Sequence, residues 1–453
     1  MGKYFGTDGF RGEINSALNP SHAYKIGRFL ACHLKTGVNG DTLTHPKILI
    51  GKDPRRSSYS LEYAIASGIA ASGVDVYLLH VTTTPSVSYV TSTYGFDYGI
   101  MITASHNPHF DNGIKIIDKD GRKLDDATTM RIEEYIDGKC ADIPYASADD
   151  IGKITDYLQG RKKYARHLAS VIQSKLTNMR IGLDCANGAA WSIAPDLFSS
   201  LGAQVNAICC EPDGLNINDR CGSTHIERMC ELVTRECLDV GFAFDGDGDR
   251  CIASDENGKI VDGDKILYIL ARRAIRENCL DKNTVVITSM SNGGLIDSLK
   301  DLGVNTEITS VGDKYVWECI EKNGYSLGGE QSGHIIVRKH SSTGDGILTA
   351  LLLCDEMQST GLTLSELCQG MRVYPQYSES IYVKNKDMTV TDPRLTSLVK
   401  TFEDCSVGHG RIMIRASGTE AKVRIMVENE SDITAKKYMR AIMNLITEME
   451  NSK

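Results

Sequence analysis

The sequence predicts an α/β fold in which three α/β domains are followed by a smaller α+β domain. First, short apolar segments alternate with amphipathic helical segments, and this alternation begins three times along the chain. Second, the chain has 453 residues, too many for one hydrophobic core. Third, the segment after about residue 371 has a different order, with several strand patterns before one long helical pattern.

The three α/β series can be followed from strand to strand. In the first series, strand patterns at 47–53, 74–79 and 98–103 enclose a helical pattern at 57–72. In the second, strand patterns lie at 179–185 and 205–210 and just before residue 245. The third has a strand at 284–290, a helix from about residue 292 and a strand near 305–309. Each series predicts βαβ units and a sheet with parallel strands.

The C-terminal segment predicts strands at 381–383, 411–415 and 422–427 and a final helix at 433–450. The polar segment 138–152 contains Pro144 and is typical of a linker. We therefore divide the chain into α/β domains at 1–145, 152–254 and 255–370 and an α+β domain at 371–453.

Composition excludes several classes of protein. The net charge of −9 gives no bulk attraction to nucleic acid or to an anionic membrane. The fourteen cysteines contain no C-x-x-C pair, which favours reduced thiols in a cytosol over a disulfide framework or a zinc site. The sequence contains no run of 18 apolar residues, so no membrane span is predicted. It has no apolar segment near its N-terminus, so no signal peptide is predicted. We expect a cytoplasmic protein without nucleic-acid or membrane partners.

The run Asp-Gly-Asp-Gly-Asp-Arg at 245–250 is the strongest chemical signal in the chain. At about 4 Å, two like charges repel by about 4 kcal/mol at an effective dielectric constant of 20. A hard divalent cation would compensate Asp245, Asp247 and Asp249, and oxygen-only ligands suit Mg²⁺ or Ca²⁺. The two glycines allow the backbone to turn tightly around an ion.

Two alternatives to this magnesium-type site are a helix-loop-helix calcium site and a solvated acidic turn. The three aspartates match positions 1, 3 and 5 of a calcium loop, and Glu256 matches position 12. However, Arg250 stands at position 6, where that loop requires glycine, and the preceding segment alternates like a strand. Acidic turns are common, but three aspartates interleaved with glycines after an apolar strand are not.

A second candidate loop, Thr-Ala-Ser-His-Asn-Pro at 103–108, follows an apolar strand directly. We expect Ser105 to lie in an exposed loop at the carboxyl end of that strand, where ligands bind in open parallel sheets. Its hydroxyl could be a nucleophile, a phosphate carrier or a simple loop hydroxyl. The neighbouring His106 favours a loop-shaping or ligand role, and Lys115 could lie near a phosphate or act in proton transfer.

Three further loops carry polar groups next to glycines. Glu330, Ser332 and His334 lie in a loop whose mixture of donors and acceptors suits a polyol. The second of these loops lies between two predicted strands and predicts a binding site for a dianion. It offers backbone N–H groups that glycine leaves accessible, two hydroxyls and two guanidinium groups. That site comprises Arg415, Ser417, Gly418, Thr419 and Arg424. Arg11, in the glycine-rich segment 6–12, is weaker evidence alone.

Taken together, these loops resemble those of the α-D-phosphohexomutase superfamily, in the order of that family and along the whole chain. Segment 6–12 is similar to the N-terminal substrate loop, 103–108 to the phosphoserine loop and 245–250 to the metal loop. Segment 330–334 resembles the sugar-specificity loop, and 415–424 the phosphate-binding loop. Within the superfamily, the opening segment and Gln331 resemble bacterial members that act on glucosamine phosphate. The alternative is a member that acts on mannose or glucose phosphate.

The resemblance implies four domains with mixed sheets around a central cleft. It implies a phosphorylated Ser105 whose phosphate completes a site for one Mg²⁺ with Asp245, Asp247 and Asp249. It also implies a phosphosugar substrate, a bisphosphorylated sugar as intermediate and activator, and allows a homodimer. Glu330 and Ser332 would hold sugar hydroxyls, and the dianion site would hold the substrate phosphate.

The same resemblance implies Ser105 as the phosphate carrier and Lys115 and His334 as general acid or base. It implies that Arg11 and Arg250 stabilise the charge of the transferred phosphoryl group. Some positions depart from the family pattern, among them Ala416, Ala421 and Lys314. None of these removes a phosphate donor or a metal ligand, so they bear on sugar specificity and not on the reaction class. A Mg²⁺-dependent phosphohydrolase and a calcium-binding scaffold remain the competing hypotheses from other classes.

Overall fold

The structure is a computed structural model that describes residues 2–37, 45–405, 409–417 and 421–451. The chain divides into two compact units. The first comprises Met1–Met290 and Val304–Gln369, and the second comprises Ser291–Gly303 and Gly370–Lys453. Among the described residues, three mixed sheets belong to the first unit and one antiparallel sheet belongs to the second. Short 3₁₀ turns occur at Ala148–Asp150, Ala189–Ser192 and Asp281–Asn283.

The first sheet contains the serine loop. Its strands are Phe5–Gly6 (β1), Gly9–Glu13 (β2), Lys47–Lys52 (β3), Asp75–Val81 (β4), Tyr98–Ile102 (β5), Asp111–Asp118 (β6) and Ile154–Asp156 (β7). The helices of this part are Pro20–Thr36 (α1), Arg56–Ala70 (α2), Thr84–Thr93 (α3) and Asp126–Ile136 (α4). The strand order is β1-β2-β6-β5-β3-β4-β7, and β4, β3 and β5 are mutually parallel neighbours. Every residue of β5 is buried, as expected for a strand covered on both faces.

The second sheet contains the acidic loop. Its strands are Arg180–Asp184 (β8), Gln204–Ile208 (β9), Val240–Phe244 (β10), Cys251–Ser254 (β11) and Ile260–Val261 (β12). The helices are Gln159–Val171 (α5), Ala194–Ser200 (α6) and Glu227–Glu236 (α7). The order is β12-β11-β10-β8-β9, with β10, β8 and β9 parallel. The acidic run therefore joins β10 to the antiparallel β11.

The third sheet is built from Thr284–Thr288 (β13), Asn305–Thr309 (β14), Leu327–Gly329 (β15) and Ile335–Val337 (β16), in the order β14-β13-β15-β16. The helices of this stretch of chain are Gly263–Arg276 (α8), Gly293–Asp301 (α9), Asp313–Asn323 (α10), Gly346–Thr360 (α11) and Leu364–Leu367 (α12). Of these, α9 belongs to the second unit and the others to the first. The loop 330–334 is the turn between the antiparallel strands β15 and β16.

The second unit combines α9 with the C-terminal elements. Its strands are Gln376–Tyr382 (β17), Gly410–Ala416 (β18) and Lys422–Asn429 (β19), in the antiparallel order β17-β19-β18. Its other helices are Lys386–Val390 (α13), Pro393–Cys405 (α14) and Asp432–Asn451 (α15). Leu395, Phe402, Val427 and Ile442 are among the core side chains of this unit.

Two sheets extend past the domain limits drawn from the sequence. Strand β7 pairs with β4 of the first sheet, although residues 154–156 follow the predicted linker. Strand β12 likewise pairs with β11 of the second sheet, beyond residue 254. Both are short edge strands without a strong apolar pattern, so periodicity does not reveal them. No helix in the described ranges is long and apolar enough to cross a membrane.

Candidate active site

Ser105 lies in the loop after β5, at the edge of the first sheet where the parallel strands end. Its backbone has φ = 53°, a left-handed conformation that is uncommon for serine and is found at strained functional turns. The expectation of an exposed loop is wrong, because the residue is only 1% exposed. Its burial has a clear cause: the acidic loop of the second domain covers it.

The hydroxyl of Ser105 faces that acidic loop. Ser105 Oγ donates a 2.6 Å hydrogen bond to Asp245 Oδ2, across 140 residues of sequence. Ser105 Oγ also lies 3.4 Å from His106 Nδ1. Burial and the nearby Arg250 and Arg11 lower the pKa of His106 to about 4, so this imidazole is neutral at pH 7.

The two loops touch through their backbones as well. A Cβ atom at Gly246 would lie 2.4 Å from the carbonyl oxygen of Ser105, so only glycine fits at this point. Gly248 has φ = 71°, the left-handed conformation that completes the turn. The glycines of the acidic run thus allow both the tight turn and the close approach of the serine loop.

The carboxylates of Asp245, Asp247 and Asp249 converge as the sequence predicts. All three side chains are buried, and one oxygen of each lies within 4.8 Å of the others. Oδ1 of Asp247 and Oδ1 of Asp249 are buried without a hydrogen-bond partner among the described residues. Two such acceptors are costly unless a ligand binds them, and an oxygen-only set fits a hard divalent cation.

The electrostatics of these three carboxylates differ. Burial and the charges of Asp249 and Asp247 raise the pKa of Asp245 well above its usual range. Burial also acts to raise the pKa of Asp247, but the ammonium group of Lys115 outweighs it and lowers that pKa below its usual range. The hydroxyl of Thr84 donates to Asp247 as well. The surroundings of Asp247 therefore favour its charged form, whereas those of Asp245 disfavour it.

Lys115 supplies positive charge inside the site. Its Nζ lies 2.7 Å from Asp247 Oδ2 and 3.0 Å from Asp249 Oδ2. Burial acts to lower the pKa of Lys115, but Asp247, Asp249 and Asp8 raise it well above the usual value. The side chain therefore stays protonated, which favours a charge-stabilising role over that of a general base.

A second layer of charges surrounds Lys115 and joins the first and third domains. Asp8 pairs with Arg11, and its Oδ1 lies 2.8 Å from Nζ of Lys123. Lys123 Nζ also lies 2.7 Å from Asp313 Oδ1. On the other side of that carboxylate, Nε2 of His334 lies 3.3 Å from Asp313 Oδ2. Arg11 and His334, distant in sequence, therefore belong to one chain of ionisable side chains.

A cavity of about 320 Å³ opens on this chain of charges. Its lining includes Thr84, Lys115, Lys123, Asp313 and His334. The full lining combines four cationic side chains with six carboxylates, so the cavity is strongly polar and of a size that suits a small ligand.

Arg250 and Glu330 also belong to the site in the first unit. The backbone N–H of Arg250 donates to Asp245 Oδ1 at 3.1 Å. Burial acts to lower the pKa of Arg250, but Asp245, Asp249 and Glu330 raise it. Oε1 of Glu330 accepts a 2.9 Å hydrogen bond from the N–H of Gly312, while Ser332 is exposed at the tip of the β15–β16 turn.

In the second unit, Arg415 and Arg424 stand directly opposite each other on the antiparallel strands β18 and β19. Burial and the charge of Arg424 lower the pKa of Arg415. Like charges directly opposite each other are destabilising, and an anion bound near both would reduce that cost. Ser417 follows β18 and is buried, whereas Gly418 and Thr419 lie outside the described residues.

Three supporting residues were not identified from the sequence. Arg55 is fully buried and donates to the carbonyl oxygens of Ser105 (3.2 Å) and Asn107 (2.6 Å). Asn218 Nδ2 donates to the same two carbonyls, at 2.8 and 3.0 Å. In the second unit, Nζ of Lys386 donates to the carbonyl of Ser417. Arg55 follows strand β3, so the same strand-end argument that selected Ser105 could have found it; the other two have no local signal.

Fold and site together define a protein of four domains, three of them α/β. A buried serine lies beside a cluster of three carboxylates of the kind that binds a divalent cation. Family models match nearly the whole chain. Those of phosphoglucomutase/phosphomannomutase domains I, II and III match residues 2–141, 162–258 and 262–374, and that of the C-terminal domain matches 382–445. The chain therefore belongs to the α-D-phosphohexomutase superfamily, and the predicted family and fold class are confirmed.

Curated relatives cover almost the full length. The phosphoglucosamine mutase of Lachnospira eligens is 49% identical over 447 residues, which is 98% of each chain. That of Anoxybacillus flavithermus is 44% identical over 452 residues, 99% of each chain. At this identity and coverage, family membership is secure.

Solved structures share the fold at lower identity. A putative phosphomannomutase from Thermus thermophilus superposes with a TM-score of 0.79 at 22% identity, covering 99% of this chain and 100% of that one. The N-acetylphosphoglucosamine mutase of Aspergillus fumigatus, solved with GlcNAc-6P and magnesium, gives 0.69 at 18% identity, covering 99% and 96%. These likenesses support the fold.

Proposed function

We propose that the protein is a phosphoglucosamine mutase, which interconverts glucosamine 6-phosphate and glucosamine 1-phosphate. The observation that carries the proposal is the buried hydrogen bond between Ser105 and Asp245, within the cluster of three aspartates. The curated relatives with this name, at 42–49% identity, support the choice of sugar.

Ser105 is the proposed phosphate carrier. When it is phosphorylated, O1 of the sugar attacks phosphorus, the bond between phosphorus and Oγ breaks, and a 1,6-bisphosphate forms. The bisphosphate then presents its other phosphate, from which Oγ takes a phosphoryl group in return. The burial of Ser105 excludes bulk water from the phosphoserine, which limits its hydrolysis.

The carboxylates of Asp245, Asp247 and Asp249 are the proposed ligands of one Mg²⁺. The two unpartnered carboxylate oxygens and the all-oxygen donor set support this. When bound, Mg²⁺ supplies Lewis-acid stabilisation of phosphoryl charge. The close contact between Gly246 and the carbonyl of Ser105 keeps the transferred group beside these ligands.

The cationic residues would stabilise the charge of the transferred group and hold the sugar phosphate. Lys115 is buried and Arg11 half-buried beside the carboxylate cluster, and Arg250 follows it directly. Lys115 and His334 remain candidates for proton transfer to and from the sugar hydroxyl. The raised pKa of Lys115 favours a donor role for this side chain.

Sugar and phosphate recognition are assigned to two other loops. Glu330 and Ser332 would hydrogen-bond sugar hydroxyls, because both lie in the β15–β16 turn and the charge of Glu330 acts on Arg250. Arg415, Ser417 and Arg424, with Gly418 and Thr419, would bind the phosphate that is not being transferred. The opposed arginines support this, since they place two guanidinium groups, the preferred partners of phosphate, side by side on the sheet.

The domain limits, the location, the oligomeric state and the activator are proposed from membership of the family. The domain limits 1–145, 152–254, 255–370 and 371–453 need adjustment, since β7 pairs with the first sheet, β12 with the second, and α9 belongs to the C-terminal unit. A cytoplasmic location, a homodimer and a bisphosphorylated sugar as activator are consistent with a family member of this kind. Nothing in the proposed reaction requires a nucleic acid or a membrane.

Two measurements test the proposal together. An intact-mass spectrum of freshly purified protein should show a phosphate-sized increment that maps to Ser105. Turnover should then show a higher kcat/KM for glucosamine 6-phosphate than for glucose or mannose 6-phosphate. A preference for mannose or glucose 6-phosphate would assign the other branch of the superfamily, and stoichiometric release of free phosphate would indicate a phosphohydrolase.

A further inference from the structure

A second cluster of possible ligands lies in the second domain, away from the aspartates of the acidic loop. Asp184 ends strand β8, Cys209 follows strand β9, and Cys221 lies in the loop before α7. One ligand atom from each lies within 4.8 Å of the other two. Because β8 and β9 are parallel neighbours, their carboxyl ends bring Asp184 and Cys209 to the same edge of the sheet.

The carboxylate of Asp184 is held in place for such a role. Oδ1 accepts the N–H of Ala186 at 2.8 Å, and Oδ2 accepts the N–H of Gly222 at 2.9 Å. Each carboxylate oxygen has a second lone pair, so these bonds orient the group without using all its acceptor sites. Outer hydrogen bonds of this kind fix the ligands of many metal sites.

The two thiols are also arranged closely. Cys221 is 1% exposed and lies within hydrogen-bonding reach of Cys209. Cys209 is partly exposed, which leaves a path from solvent, and its backbone has φ = 52°. Nη1 of Arg228 lies 3.5 Å from Cys209 Sγ, so a positive charge stands beside the site.

We propose that Asp184, Cys209 and Cys221 bind a thiophilic divalent cation of the Zn²⁺ class, with solvent at the fourth position. Two sulfur ligands and one oxygen select a softer cation than the three carboxylates of the acidic loop do. Binding releases the two thiol protons. The three anionic ligands and a dication sum to −1, and Arg228 offsets this charge.

The position of the cluster indicates what the cation would do. The N–H of Asn218 donates to the carbonyl of Ala186 at 2.9 Å, and the side chain of Asn218 holds the carbonyl of Ser105. In the same segment as Ala186, the N–H of Ala189 donates to the carbonyl of Gly246 at 2.8 Å. A cation that ties Asp184 to Cys209 and Cys221 would therefore brace the backbone that supports both active-site loops.

Cobalt provides a test that does not depend on activity. Titration of reduced, metal-free protein with Co²⁺ should produce the charge-transfer absorption of a cobalt–thiolate bond, at one equivalent, and added Zn²⁺ should remove it. The Cys209→Ser and Cys221→Ser variants should each lose this absorption.

Two control variants separate this site from its neighbours. Cys210→Ser removes the adjacent thiol, which is hydrogen-bonded to Cys185 and donates to the carbonyl of Ile208. This variant should keep the absorption. Asp247→Asn alters the acidic loop and should also keep it. Absorption that persists in Cys209→Ser, or disappears in Cys210→Ser, overturns the ligand assignment. If the reduced, metal-free protein develops no cobalt–thiolate absorption on addition of Co²⁺, the metal site is overturned.

Discussion

Oγ of Ser105 lies 2.6 Å from Oδ2 of Asp245, although one residue belongs to the first domain and the other to the second. The contact depends on both loops, because only glycine at position 246 leaves room for the carbonyl oxygen of Ser105. The proposed phosphate carrier and the proposed metal ligands are therefore positioned by one interface between two sheets. The predictions below test separate parts of this arrangement.

Replacing Ser105 by alanine should abolish phosphoryl transfer. The variant lacks the oxygen that accepts and returns the phosphoryl group, so kcat should fall by at least about a thousandfold. Steady-state kinetics and intact mass would show the loss of both turnover and the phosphate increment. Ser60→Ala, an exposed helical serine in the same domain, is the control. Turnover near that of the unmodified protein in Ser105→Ala would refute the carrier role.

Removal of divalent cations should stop turnover reversibly. Chelation leaves the carboxylates of Asp245, Asp247 and Asp249 without their counter-charge, and added Mg²⁺ should restore the rate. The Asp247→Asn variant should not recover at the same Mg²⁺ concentration, because it lacks one anionic ligand. Rates that are unchanged in excess chelator would eliminate the metal site.

Replacing Lys115 by methionine should tighten Mg²⁺ binding and slow the reaction. The ammonium group lies 2.7 Å from Asp247 and repels an incoming cation, so its loss should lower the Mg²⁺ dissociation constant at least about tenfold. The loss of charge beside the phosphoryl group should reduce kcat about a hundredfold.

Calorimetric Mg²⁺ titration and kinetics would measure both effects of the Lys115 change. Lys123→Met is a matched control, since Nζ of Lys123 pairs with Asp8 and Asp313 and not with the cluster. The charge argument fails if both variants bind Mg²⁺ equally.

The ion pair between Arg55 and Asp53 should be important for stability. Both side chains are fully buried, and Arg55 Nη1 lies 3.1 Å from Asp53 Oδ2. Arg55→Met strands a buried carboxylate and should lower the free energy of unfolding by about 3–5 kcal/mol. Denaturant unfolding would measure it. In the double variant with Asp53→Asn, the loss should be smaller than the sum of the single losses; strict additivity would show that the two side chains do not interact.

Replacing Arg424 by alanine should weaken substrate binding more than it slows the chemical step. A guanidinium group on a phosphate supplies charge and two hydrogen bonds, so KM for the sugar phosphate should rise at least about tenfold. The KM of Arg424→Lys should lie between those of the unmodified protein and Arg424→Ala. Lysine keeps the positive charge but cannot make the two parallel hydrogen bonds of a guanidinium group. Arg394→Ala, an exposed arginine of the same unit that pairs with Asp392, should leave KM unchanged. An unchanged KM in Arg424→Ala would remove this residue from the phosphate site.

Much of the fold could be predicted from local patterns. The apolar strands that end at Ile102 and Phe244 are fully buried in the sheets, and polar loops follow both. Their periodicity and the chemistry of the loops made Ser105 and the acidic run identifiable. The edge strands β7 and β12 were missed, because strands of two or three residues carry no period.

What the sequence could not give depends on contacts between distant segments. Ser105 was expected to be exposed because it follows a strand and precedes Pro108, which prevents a helix from starting there. Its cover comes from residues more than a hundred positions away. Asn218 has no local signal for the same reason. The cysteines also look scattered in sequence, and only the pairing of β8 with β9 brings Cys209 and Cys221 to Asp184.

Helix α9 has a consequence for how the chain is made. The N–H of Gly293 donates to Glu428 at 3.1 Å, and Asn292 Nδ2 donates to the carbonyl of Tyr374 at 2.8 Å. During synthesis from the N-terminus, this helix therefore leaves the ribosome well before its partners exist. The second unit cannot close until strands β17 to β19 have been made, and a fragment that begins at residue 370 would lack one of its own helices.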